Sequence, residues 1–525
     1  MSRFVRLLTM FAMMFVAVVS VTAEDLRAHR ERYTRFQERY EAEIMKLIAW
    51  CKENGLATEA EKTRALNSTP TAEDRAYIGI LPQEVQIKNP DAYMSRKSAA
   101  QGTRKNKEKA TEETPQKEWE RRFSRLQLQA SNQLFKLSQS AMEDGHATYA
   151  FELLMRTLEE NPDHTAARKI LGYEQVDGLW LSPFEKQQAR KNVYHPKFGW
   201  LPPKHVERYE NGERFFKGKW ISPEQDAAIH FDIENGWTVE TPHFTVVTNH
   251  SLAVAVHIGE EVEVLYRVWK QFFLRFFATD AQLKALFDGK TASATSGIEP
   301  GMGTNGKHRV FFFRNQENYV KYLSERYPQV AQSCGIYIIE DRTSYFFAGE
   351  NFDRATMFHE VTHQLFNELR PIPRNARAFD LTKCPNFWMI EGISTYMESL
   401  HDEGNYHVIG GFDTPRLLAA RIRYTKDNFY IPLEELSALN TAEFQTHPQM
   451  VRLYSQSSGL MQFLLHADEG QYRDGVSDIL RDIYTGKSVK NTIPRRLGRS
   501  FEELDAEYGK YISRNQEELK QWEME

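Results

Sequence analysis

The spacing of apolar residues changes several times along the chain. From Asp25 to Lys52 the pattern is charged, helical and nearly free of breakers. This opens a predicted helical N-terminal region over 24–94. Residues 95–117 hold almost no large apolar side chain, too little apolar surface to offset the entropy of ordering a chain, so they read as a polar, solvated linker. Helical spacing returns over 118–170, where an Ala/Leu-rich stretch is broken at Asn161-Pro162-Asp163 and a second helix start follows.

That last pattern resembles one tetratricopeptide-type helical hairpin. A single such unit cannot bury its own apolar face, so neighbouring helices must complete it. Over 171–226 a short motif recurs: Gly178-Leu179-Trp180-Leu181-Ser182-Pro183, Gly199-Trp200-Leu201-Pro202 and Gly218-Lys219-Trp220-Ile221-Ser222-Pro223, with tryptophans twenty residues apart. Each copy predicts a tight Gly turn into a very short strand, stopped by Pro, with its Trp packed inward. A ligand-binding aromatic row is the competing reading.

From Trp237 to Glu525 the texture is α+β. His243–Thr248 and Arg309–Arg314 read as strands, Gly335–Ile339 and Ser344–Ala348 as a strand pair, and Ser251 as the cap of a helix reaching about Phe276. Asp353–Leu369 and Pro385–Leu400 are predicted helices, and the remainder is mainly helical. The Gly/Ser-rich loop 292–307 neither follows a strand nor opens a helix, and it carries no dinucleotide signal.

Composition narrows the classes. The 525 residues are 41% hydrophobic and 26% charged, and a mean hydropathy of -0.59 excludes a multi-span membrane protein. Sixty-seven basic against 72 acidic side chains leave a net charge of -5, without the basic excess of a nucleic-acid binder. Three cysteines are too few for a disulfide scaffold, although Cys334 and Cys384 flank the segment discussed next and could bridge. Residues 1–23 look like a secretory leader, with Arg3 and Arg6, the apolar run Leu7–Val19 and the small-x-small site Val21-Thr22-Ala23. Export to the periplasm or outside is therefore expected, with an uncleaved anchor as the alternative and no stable span after cleavage.

The chemistry sits at His359-Glu360-Val361-Thr362-His363. On a helix, residues i and i+4 share a face, so both imidazoles can reach one ion at the ~2.0–2.1 Å of Zn–N bonds. Glu360 lies about 100° away, beside such an ion. Phe358, Val361, Leu365 and Leu369 form the apolar stripe. Downstream, Trp388-Met389-Ile390-Glu391-Gly392-Ile393-Ser394-Thr395-Tyr396 offers Glu391 as the third ligand of a catalytic His₂Glu set. A carboxylate unpaired among Trp388, Ile390 and Ile393 would be costly to bury.

HExxH followed by W-x-x-E-G-x-S-x-Y resembles the gluzincin zinc metallopeptidases, specifically the peptidase MA-like domains of exported bacterial proteins, over roughly 237–525. The resemblance implies a zincin-like domain with a small mixed sheet, an active-site helix and a helical C-terminal part. It further implies one Zn²⁺ held by His359, His363 and Glu391, with Glu360 as general base, and a peptide or protein substrate that can pair with strand Ser344–Ala348. The 27 residues between His363 and Glu391 exceed the typical interval; this insert holds Pro371-Ile372-Pro373-Arg374. Aminopeptidase-type members place an oxyanion-stabilising tyrosine some sixty residues past the glutamate, where Tyr454 stands, with Tyr396 and His466 as competitors. A catalytically idle zincin-fold binding module, or an envelope scaffold whose N-terminal helices recruit a protein partner, is the alternative function.

Overall fold

The computed structural model describes residues 2–67, 75–79, 114–289, 306–350, 352–371, 380–404 and 406–514. The fold is α+β and mainly helical, with a small mixed sheet. Among the described residues no helix is long and apolar enough to cross a membrane. The helix Ser2–Glu53 runs through the expected leader. Most of the expected linker, the centre of the Gly/Ser-rich loop and Ile372–Pro373–Arg374 lie outside the described residues; the linker's end, from Pro115, is helical, with Thr114 as its cap.

The N-terminal helices pack as a bundle. Ala147–Glu160 lies against the long helix Pro115–Glu143, and its buried face (Phe151, Leu154, Leu158) is closed by Leu26 and Phe36 of the first helix and by Leu274, Leu283 and Phe287. The expected hairpin is thus completed by its neighbours, and its second helix is only Thr165–Ile170. One segment departs from the helical expectation. Arg75–Gly79 is a strand that pairs antiparallel with Tyr406–Gly410, which itself pairs with His401–Asp402. Tertiary pairing decides it, because Ala76 fills the main core of the C-terminal half.

The three Trp motifs are two-stranded hairpins, each followed by a short helix. In the first and third, the turn residues Asp177-Gly178 and Lys217-Gly218 all have positive φ, as a two-residue type I′ turn demands. Trp180 is buried and donates to Asp163 at 3.0 Å; Trp200 packs edge-on to Tyr194, and Arg208 covers Trp220 at 3.8 Å. These rings are spent on packing.

Beyond Trp237 the sheet order is Gly335–Ile338, Thr343–Phe347, His308–Phe313, Phe244–Thr248, Trp237–Glu240. The three inner strands run parallel and both outer strands antiparallel. The expectation that Ser344–Ala348 is an edge strand is corrected here. That strand is enclosed on both sides, and among the described residues the sheet ends at Gly335–Ile338 on its side and at Trp237–Glu240 on the other. Helix Leu252–Phe272, capped by Ser251, packs on the sheet together with helix Arg354–Leu369.

Candidate metal centre

Asp353 starts the motif helix by accepting the Thr356 N–H at 2.6 Å. Phe358, Val361 and Leu365 are buried in the core, so the helix is clamped along one face and presents His359, Glu360 and His363 on the other. Glu391 comes from helix Phe387–Met397, every residue of which is buried. Asn386, in the left-handed region at φ 66°, fixes its start: its N–H donates to Ser437 O (2.9 Å) and its side-chain amide to Ser488 Oγ and Val489 O (2.9 and 3.0 Å). Gly392 lets this helix lie directly on helix Met450–His466, since a Cβ there would stand 2.7 Å from Ser457 O.

Three atoms converge. His359 Nε2 and His363 Nε2 are 3.1 Å apart, and Glu391 Oε2 is 3.5 Å from the first and 3.8 Å from the second. The circle through a triangle of these sides has a radius of about 2.0 Å, which is the length of a Zn–N or Zn–O bond. Two imidazole nitrogens facing each other at 3.1 Å also need a cation between their lone pairs, either a proton or a metal. The group His359, His363 and Glu391 can therefore hold a metal ion.

The outer partners free these donor atoms. Glu398 accepts from His359 Nδ1 at 2.8 Å. Ser394 Oγ gives its proton to Ile390 O (3.1 Å) and so accepts from His363 Nδ1 (3.2 Å). With a metal held between them, each ring would carry its proton on Nδ1 and offer a bare Nε2; without one, a proton takes that place on His359. Neither Ser394 nor Glu398 was assigned a role in the sequence analysis. The signal was present, because 391, 394 and 398 follow i, i+3, i+7 spacing on one helix face.

Electrostatics match the geometry. Burial disfavours charge on His359, but the Glu391 and Glu398 carboxylates outweigh it and raise the imidazole to about 10. Burial lowers His363 to about 4. Burial also opposes ionisation of Glu391, yet His363 and His359 hold it below the ordinary carboxylate range. Glu360 is pushed up to about 7 by burial, against the pull of His359 and the Tyr337 N–H. That N–H donates to Glu360 Oε2 at 2.8 Å, a contact no sequence pattern announced.

Tyr454 lies beside Glu391; burial and the charge of that carboxylate raise its pKa, so its hydroxyl keeps its proton. Its competitors are elsewhere. Tyr396 is fully buried and bonded to His466 Nε2 at 2.8 Å, and both are spent on the core. Cys334 and Cys384 are free thiols. No protein-family model matches the chain, and no curated protein matches it.

Proposed function

We propose that this protein is an exported, zinc-dependent peptidase with a zincin-like catalytic part spanning 237–525. The observation that carries the reading is the His359–His363–Glu391 triangle, with Glu360 on the same helix turn and Tyr454 against Glu391. A bound Zn²⁺ supplies Lewis-acid polarisation of a carbonyl oxygen and lowers the pKa of a water toward ~7. His359, His363 and Glu391 would hold it.

The chain's own groups do the rest. Glu360, beside the ion site on the same helix turn, takes a proton from the attacking water and hands it to the leaving amine nitrogen. Tyr454 donates its hydroxyl hydrogen bond to the oxygen on which negative charge develops. Glu398 and Ser394 keep both imidazoles in the required tautomer. An extended peptide at the edge Gly335–Ile338 would pair with the outward backbone groups that Glu360 does not hold, which makes peptides and proteins the substrate class.

Metal analysis and proteolysis test this together. About one zinc per chain is expected, lost in His359→Ala; casein hydrolysis is expected in the wild type and lost in Glu360→Gln with zinc retained. Wild-type zinc binding without hydrolysis of any peptide library would instead support a binding module.

A further inference from the structure

Glu360 does not stand alone on its helix. One, two and two-and-a-quarter turns further on, Gln364, Asn367 and Glu368 face the same strands. Gln364 accepts from Ser344 Oγ (2.8 Å) and donates to Arg309 O (3.1 Å) and Glu368 Oε1 (3.0 Å). Asn367 Nδ2 donates to the Tyr337 hydroxyl at 2.9 Å, which in turn donates to Glu368 Oε1 at 3.4 Å. The Glu368 side chain is 2% exposed and lies 2.9 Å from both His308 Nδ1 and Arg342 Nη2. Tyr337 is therefore gripped by one helix at two points: its phenol by Asn367 and Glu368, its backbone N–H by Glu360.

Building on the peptidase reading, we propose that Tyr337 is a positioning residue for Glu360: its hydroxyl, locked by Asn367 and Glu368, fixes the edge-strand N–H that orients the carboxylate. The N–H occupies Oε2 and leaves Oε1 free to face the reacting water. In an antiparallel pair alternate residues turn their N–H groups to opposite sides, so residue 337 points off the open edge while Ile336 and Ile338 pair with Thr343–Phe347. The phenol grip then restrains an edge amide that Glu360, and no partner strand, holds. A general base displaced by a fraction of an ångström loses much of its advantage, because a 1 Å misplacement can remove about 10² in rate.

The test uses the full-length protein and two independent readouts. In the metal-free protein, amide exchange at residue 337 should accelerate at least about tenfold in Tyr337→Phe and in Glu360→Ala, with the amides of Ile336 and Ile338 unchanged. With zinc bound, Tyr337→Phe should lower kcat about tenfold while KM and zinc content hold. Asn367→Leu, which removes the donor to the phenol, should reproduce both effects; it also serves if Tyr337→Phe does not fold. The double variant should fall no further in kcat than Tyr337→Phe alone. Unchanged protection at 337 overturns the proposal, as does exchange rising equally across 336–338 or an unaltered kcat. A wild-type protein that cleaves nothing overturns the peptidase reading instead, and the exchange measurement still decides whether the phenol holds the amide.

Discussion

Replacing Gly392 by alanine would test the geometry of the metal centre without touching a ligand. The added methyl would lie 2.7 Å from Ser457 O and 3.2 Å from Ser457 C, with Met461 Cβ behind at 3.5 Å. Relief to an ordinary contact requires helices Phe387–Met397 and Met450–His466 to part by roughly 0.5–0.7 Å, since overpacked sites relax by backbone shifts. Overpacking of this kind destabilises by about 1–3 kcal/mol, and the helix-propensity gain of Gly→Ala returns about 1 kcal/mol. A net loss of about 1 kcal/mol should lower the metal-free Tm by about 2–4 °C in a unit of this size. The larger effect falls on Glu391, the preceding residue. A shift of half an ångström exceeds the ~0.2 Å tolerance of a metal–ligand bond, so zinc affinity should fall about tenfold or more. At a zinc concentration that stabilises the wild type by about 4.1 kcal/mol (a thousandfold above Kd), a tenfold weaker variant gains only about 2.7 kcal/mol. Thermal unfolding with and without zinc, paired with competition against a chromophoric chelator, reads both numbers. A metal-free variant more stable than wild type, with an undiminished zinc increment, would refute the close approach and the positioning argument built on it.

Three further substitutions probe separate links. Glu398→Ala frees His359 Nδ1 and should weaken zinc 10–100-fold by chelator competition, with little change in the metal-free fold. Tyr454→Phe should lower kcat on a cleaved peptide by about 10²–10³ at unchanged zinc content; an unaltered kcat removes the hydroxyl from the reaction. Glu160 is raised to about 7 by burial while accepting from Tyr40 at 2.6 Å. A carboxyl whose folded pKa lies above its unfolded 4.5 favours the folded state only while protonated, so stability should decline as pH rises from about 4.5 to 7. The decline is at most about 3 kcal/mol and smaller where water reaches the group. Denaturation at pH 4.5, 6 and 7.5 should show it in wild type and not in Glu160→Gln.

What was legible in the sequence is what local periodicity encodes. Helical spacing places His359 and His363 on one face and Phe358, Val361 and Leu365 on another, and the structure has the helix within a residue of its expected start. The Trp motifs follow from Asp-Gly and Lys-Gly turn chemistry, which is equally local. Long-range pairing was not legible. Arg75–Gly79 becomes a strand only because Tyr406–Gly410 offers it an edge, more than three hundred residues away. Likewise, a short apolar run says nothing about its place in the sheet order, and the edge passed from Ser344–Ala348 to Gly335–Ile338.

The same division runs through the site itself. Glu391 was foreseeable as a carboxylate too costly to leave unpaired among apolar neighbours, and its i+3 and i+7 companions Ser394 and Glu398 share its face for the same periodic reason. One helix thereby supplies a donor and both groups that orient the other two donors. Rotating or sliding it perturbs all three together, so the centre is sensitive to whatever packs behind it. That packing is Gly392 against Ser457, at the turn after Tyr454 on helix Met450–His466. Donor triangle and tyrosine hydroxyl are therefore set by one helix–helix contact, and a variant that loosens it should lose metal affinity and turnover in step.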